Sequence, residues 1–111
     1  MAYYDITPTQ LAQAAMTTSY VTVYTVPANT RTFVKDVTVV NTTASPINIY
    51  VSLVASGGTA GTSNAVFYGN ALPGNTTVEW CGAQILNESG FISVKASAAG
   101  CTVMVSGGEA I

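Results

Sequence analysis

Apolar and polar residues alternate with period two over most of this chain, most clearly at residues 47–54. There Ile47, Ile49, Val51 and Leu53 point one way and Asn48, Tyr50 and Ser52 the other, which predicts a half-buried strand. The stretch that organises the rest is residues 21–41, VTVYTVPANTRTFVKDVTVVN. It predicts a strand over 20–26, a tight turn at 27–30 and a longer strand over 32–41. Pro27 presets φ for the first central position of a turn, and Asn29 tolerates left-handed backbone. The long strand has no clean face. Phe33, Val37 and Val39 share one side with Lys35, and Val34 and Val40 share the other with Asp36 and Thr38. That mixture predicts a bulge, or burial on both sides.

Further along, residues 56–64 (SGGTAGTSN) predict a loop and 65–68 a short strand. Leu72-Pro73-Gly74-Asn75 is a strong turn signal. Residues 76–81 predict a strand with Val78 and Trp80 on one face, and Asn87-Glu88-Ser89-Gly90 another turn. Residues 91–96 and 102–106 read as a last hairpin-like pair around 97–100. Seven to eight short strands at even spacing predict an all-β fold, a β-sandwich of jelly-roll type. Open sheets leave edges that invite pairing and so favour an assembled form.

Residues 1–19 differ. Thr7 suits a helix cap and Pro8 the first helical position, and Leu11, Ala14 and Ala15 fall at i, i+3 and i+4. A short helix over 7–16 is the expectation. It is too short to stand alone, so it must dock on its own domain or on a neighbour. The chain thus divides into an N-terminal arm, 1–19, and a β-sandwich domain, 20–111. At 111 residues it suits one core that needs no metal or disulfide.

Composition changes the picture in one respect. Hydrophobic residues make up 49% of the chain, yet no apolar run approaches the roughly 18–20 residues of a membrane span. Only 7% of residues are charged, against about 25% in a typical soluble domain. Depletion of charge marks the buried centres of interfaces, so much of this surface is expected to lie against copies of itself or another protein. The alternative is a Thr-rich β-surface that is polar without charge. Arg31, Lys35 and Lys95 are the only cations and the formal net charge is −2. Clustered Lys/Arg is missing, which argues against nucleic-acid and anionic-membrane partners. The opening MAYYDITPTQ has no basic start and no apolar h-region, so the expectation is a protein made and kept in a cytoplasm until something larger releases it. Asn41-Thr42-Thr43, Asn75-Thr76-Thr77 and Asn87-Glu88-Ser89 match the glycosylation pattern but read more simply as turns.

Candidate chemistry is sparse. The chain has no His, which removes the usual general base, metal ligand and nucleophile partner. Asp5, Asp36, Glu79, Glu88 and Glu109 are scattered, and nothing points to a carboxylate pair. The expectation is no enzyme, no catalytic, cofactor-binding or metal-binding residues and no cofactor. Cys81 and Cys101 are too few for a zinc site. They could form a disulfide if their strands are neighbours, and without secretion free thiols are favoured. The loop at 56–62 lacks the Lys of a phosphate loop and opens no helix. Aromatics, Trp80 and six tyrosines among them, either fill core and interface or, where exposed, stack on sugar rings.

A family resemblance adds to this. Thr18-Ser19-Tyr20 leads into Tyr24-Thr25-Val26-Pro27-Ala28-Asn29-Thr30, followed by Val39-Val40-Asn41-Thr42-Thr43, the alternating strand at 47–53 and Ser56-Gly57-Gly58. With the late segment 92–100 and the terminal 103–107, the order and spacing of these motifs resemble small virion structural proteins of tailed bacteriophages. The resemblance covers residues 7–111. Such proteins include head decoration (cement) proteins, head fibres and collar or tail accessory proteins. The resemblance implies no catalytic residues and a virion location after assembly in the host cytoplasm. It also implies partnership with itself, as a homotrimer, and with the major capsid protein or another virion protein. The first expectation is a capsid decoration protein seated where capsomers meet, with residues 3–16 as an attachment or subunit-exchange element. Place in the particle does not follow from these motifs. The alternatives are a collar or tail accessory protein, or a host-glycan-binding module using the loop at 56–64 and exposed tyrosines.

Overall fold

The computed structural model describes residues 6–111. Eight strands form it: β1 (Ile6–Ala15), β2 (Val21–Thr25), β3 (Arg31–Asn41), β4 (Ile47–Val54), β5 (Ala65–Leu72), β6 (Thr76–Leu86), β7 (Phe91–Ala96) and β8 (Cys101–Ala110). They make two antiparallel sheets, ordered β1-β8-β3-β6 and β2-β7-β4-β5. The pairing is nested: β4 with β5, β3 with β6, β2 with β7, β1 with β8. The chain is one long hairpin, turning at residues 55–64, that rolls up until β8 also meets β3 and β7 meets β4. This is the jelly-roll form of the β-sandwich.

The core lies between the two inner strands of each sheet. Val34, Val37 and Val39 of β3, Val103 and Val105 of β8, Ile49 and Val51 of β4, and Ile92 and Val94 of β7 are all 0–1% exposed. These β-branched side chains are stiff at χ1 and pack well on a pleated surface. Burying each contributes about 1.5–3 kcal/mol.

Three expectations change. Residues 7–16 hold no helix; residues 6–15 form edge strand β1, in register with β8. Pairing satisfies the exposed ladder of β8, and that tertiary gain overrides the helix propensity of Ala and Gln. A bulge at Leu11 buries both Leu11 and Ala12 and so brings Leu11 into phase with half-buried Ala14, while Ala15 of the expected apolar stripe is exposed. Second, β7 and β8 are not a hairpin, and β2 and β3 do not pair: each consecutive couple spans the two sheets. The β2–β3 turn centres on Ala28 and Asn29, one residue later than Pro27 suggested, with Asn29 at φ 57°. Third, the expected bulge in β3 falls at Lys35. It places Val34 inside with Val37 and Val39, and moves Phe33 to the outer side. Strands β5, β6 and β8 also run further than their alternation indicated. Residues 1–5, including the Tyr3 and Tyr4 part of the expected attachment arm, lie outside the described residues.

All four edge strands carry an extra residue. It is Leu11 in β1, Val23 in β2, Val66 and Gly69 in β5, and one of Gly82 and Ala83 in β6. Gly69 sits at φ +69°, the left-handed backbone that such a bulge requires. Bulges twist an edge away from a straight ladder and oppose strand addition. Each edge thus departs from the straight ladder that strand addition uses.

Two buried polar side chains behave oppositely. Asn41, fully buried, donates from Nδ2 to the carbonyls of Ser45 (2.8 Å), Leu72 (3.0 Å) and Pro73 (3.3 Å). Its Oδ1 accepts from the Thr43 N–H (2.9 Å) and hydroxyl (2.7 Å). It thereby ties the β3–β4 turn to the β5–β6 turn, and its amide is fully used within the fold. Ser52, equally buried, finds no partner for its hydroxyl among the described residues. Asn41→Ala should lower unfolding free energy by about 2–4 kcal/mol in urea titrations, because several backbone groups lose their partner at once. Ser52→Ala should leave stability unchanged or raise it by up to about 1 kcal/mol.

Candidate functional site

The sheet pairing assembles several polar groups that lie far apart in sequence. On the outer face of β3 and β6, Asp36 stands opposite Cys81, and Thr38 opposite Glu79. Thr38 donates to Asp36 Oδ1 (2.8 Å) and the Cys81 thiol to Oδ2 (3.8 Å). Hydrogen bonding with Glu79 first, then with Thr38 and Cys81, holds the Asp36 carboxyl below the usual carboxylate range. Local desolvation and then the neighbouring Glu79 and Asp36 push the Cys81 thiol up, which keeps it protonated and a poor nucleophile. One ligand atom from each of Asp36, Glu79 and Cys81 lies within 4.8 Å of the others, a group that could hold a cation. Sequence reading missed it. Glu79 and Cys81 share a face at period two, but only the bulged β3–β6 register brings Asp36 to them. Cys101 is buried on β8, with β3 between it and β6, so the two cysteines are free thiols. Burial pushes the Cys101 thiol up as well.

A second group lies on the outer face of the other sheet. Tyr50 pairs across with Lys95 on β7 and with Tyr68 on β5. The Lys95 ammonium sits 4.4 Å from the Tyr50 ring centre and 4.9 Å from that of Tyr20, a cation–π contact on both sides. Tyr50 meets Tyr20 and Tyr68 edge to face, at 6.4 and 5.2 Å between centres. Tyr68, half exposed, ends this stripe. Lys95 is thus held in place by aromatic faces.

A third feature is the open side between edge strands β5 and β6. Three adjoining hollows of about 270, 490 and 360 Å³ run along it. The middle one lies beside Trp80, Gln84, Ser63, Asn64 and Val66. The loop at 56–64 is hydrogen-bonded internally and to β4. Asn64 accepts from the Gly61 N–H (3.0 Å) and donates to the Thr59 carbonyl (2.9 Å), and the Leu53 N–H bonds the Asn64 carbonyl (2.9 Å).

The two ends of the sandwich differ in charge. One end is made by the connections 16–20, 42–46, 73–75 and 97–100, and none of these residues is acidic or basic. They are Thr, Ser, Ala, Gly, Asn, Pro, Met16 and Tyr20, mostly exposed apart from the buried Met16. The turns there are packed against each other: the Asn75 N–H bonds the Thr43 carbonyl (2.8 Å), and a Cβ on Gly74 would lie 2.4 Å from the Ala44 carbonyl. The opposite end carries Glu88, which accepts from the Asn29 N–H, and Glu109. There Tyr24 of β2 reaches across to the other sheet, donating to Glu109 and sharing a 2.7 Å hydrogen bond with Thr32.

The fold and these surfaces define a jelly-roll β-sandwich protein. No family model matches the chain, and no curated protein matches it in sequence. Among solved structures, it is similar to a chain in the structure of infectious bursal disease virus, Gx strain, at 12% identity and a TM-score of 0.54. That match covers 95% of this chain and 32% of the viral one, so the chain spans about a third of its viral neighbour. A second neighbour comes from Bacillus endospore appendages, described as disulfide-linked pili. It has 15% identity and a TM-score of 0.46, covering 99% of this chain and 93% of that one. At such identities the likeness concerns the fold.

Burial first, and then the bond to Glu109, pushes the Tyr24 phenol up to about 12 from 10.0, with Thr32 opposing. A raised value means that the neutral phenol is the form the fold prefers. Its contribution is therefore fully present below pH 10 and lost as pH climbs through about 12. Urea unfolding across that window should show a loss of stability that Tyr24→Phe abolishes. The variant itself should cost about 1 kcal/mol at neutral pH.

Proposed function

We propose that this chain is a non-enzymatic structural subunit of a bacteriophage particle, most specifically a decoration protein that stabilises the head, acting as a homotrimer against the major capsid protein. The observation that carries the reading is the charge-free end. Burying charge at an interface is expensive, whereas hydroxyls, backbone and small apolar groups can be covered at little desolvation cost. The packed turns present this end already ordered, so association gives up little conformational entropy. The jelly roll held in common with a chain of a virus structure supports a particle role at the level of fold. The order of sequence motifs supports the phage type.

In this reading the uncharged turns seat on the shell or between subunits and add contacts that the shell alone lacks. The bulged edges oppose polymerisation of the subunit through its sheets. Assembly takes place in the host cytoplasm and the finished location is the virion.

Light scattering at micromolar concentration should give the mass of an oligomer, with three copies as the expected number. Ala44→Lys and Ala98→Lys, both at exposed positions of the charge-free end, should reduce association or particle binding while leaving thermal unfolding unchanged. A monomer at all concentrations that also binds no particle overturns the reading.

A further inference from the structure

We propose that the cleft beside Trp80, on the open β5–β6 side, is a binding site for a neutral saccharide. The inference is independent of the particle role and would add recognition to it.

Four observations point this way. First, Trp80 is the only tryptophan of the chain, half-buried against the core and lining the largest of the three hollows, about 490 Å³. An indole that both packs on the core and lines the cleft offers apolar aromatic surface held in place. The C–H face of a pyranose ring is its natural complement. Second, the adjacent backbone makes room for the indole itself. A Cβ on Gly82 would lie 2.9 Å from Trp80 Cζ2, so any side chain there would displace the indole.

Third, the polar groups around the cleft are neutral. Gln84 and Ser63 are exposed, offering an amide and a hydroxyl as donors and acceptors for sugar hydroxyls. Asn64 is already engaged within its loop, so it shapes the wall. Among the described residues no acidic or basic one lines this hollow, which disfavours phosphorylated or anionic ligands and suits an uncharged polyol. Fourth, the hollows continue to either side along the same groove, giving length for a chain of several sugar units. Both lips of the groove, β5 and β6, are bulged, which disfavours a peptide added as an extra strand.

The test is titration of the full chain with cellotetraose, chitotetraose, maltotetraose and N-acetyllactosamine, following Trp80 fluorescence and calorimetric heat together. At least one should give a saturable change. Gln84→Ala and Ser63→Ala should each weaken that binding about fivefold or more, the loss of one hydrogen bond, with thermal unfolding unchanged. Gly82→Val should abolish it by moving the indole. No saturable change with any of the four sugars overturns the proposal. So does binding that is indifferent to Gln84 and Ser63, which would put the sugar elsewhere. A synthetic peptide of residues 1–16 that perturbs Trp80 while the sugars do not would overturn it in favour of a second copy of the chain.

Discussion

Nested strand pairing is the constraint on which everything else in this molecule rests. Each residue early in the chain finds its ladder partner at a matching distance from the other end, so β1 must wait for β8 and β2 for β7. Almost no pairing except β4–β5 closes a short loop. Closing long loops costs entropy before contacts repay it, which makes such a topology slow to form. The nesting also decides which strands are inner and which are edges. The inner four hold the β-branched core, and the outer four are left with one unpaired side each.

The outer four then determine what the surface can do. Had they been flat, this sparsely charged protein would be a template for sheet-to-sheet aggregation. A bulge in every one of them opposes that pairing, and the faces, the ends and the β5–β6 gap remain as other open surfaces. Charge is distributed accordingly. Glu88 and Glu109 sit at one end, Asp36 and Glu79 on one face, and Lys95 is clamped between tyrosines on the other. The connections that make the remaining end contain no charged residue, Lys95 meeting them only at the Tyr20 ring, and the turns are held by Asn41 and by close approach at Gly74. Rigidity and neutrality in one place are what a surface needs if it is to be covered.

Much of the fold was legible in the chain. Alternation from Ile47 onward located β4, and the conflict of faces around Lys35 pointed to a bulge or to burial on both sides, of which the register shows the bulge. What alternation cannot carry is partnership. Residues 91–96 and 102–106 looked like a hairpin because they are adjacent in sequence, yet they lie in opposite sheets. The N-terminal stretch failed for a related reason: the bulge at Leu11 buries two consecutive residues and brings Leu11 into phase with Ala14. The same limit hid the candidate sites. Asp36 and Glu79 are 43 positions apart and meet only through the β3–β6 register, and Trp80 could be assigned a face but not a cleft.

The central claim is that association uses the uncharged end and not the strand edges. Hydrogen exchange of the assembled protein, compared with the same chain diluted to its smallest species, tests it most directly. The account predicts new protection confined to the turns at 42–46, 73–75 and 97–100, with the edge amides of β1, β2, β5 and β6 unchanged. New protection running along an edge strand, with those turns still exchanging freely, would contradict it.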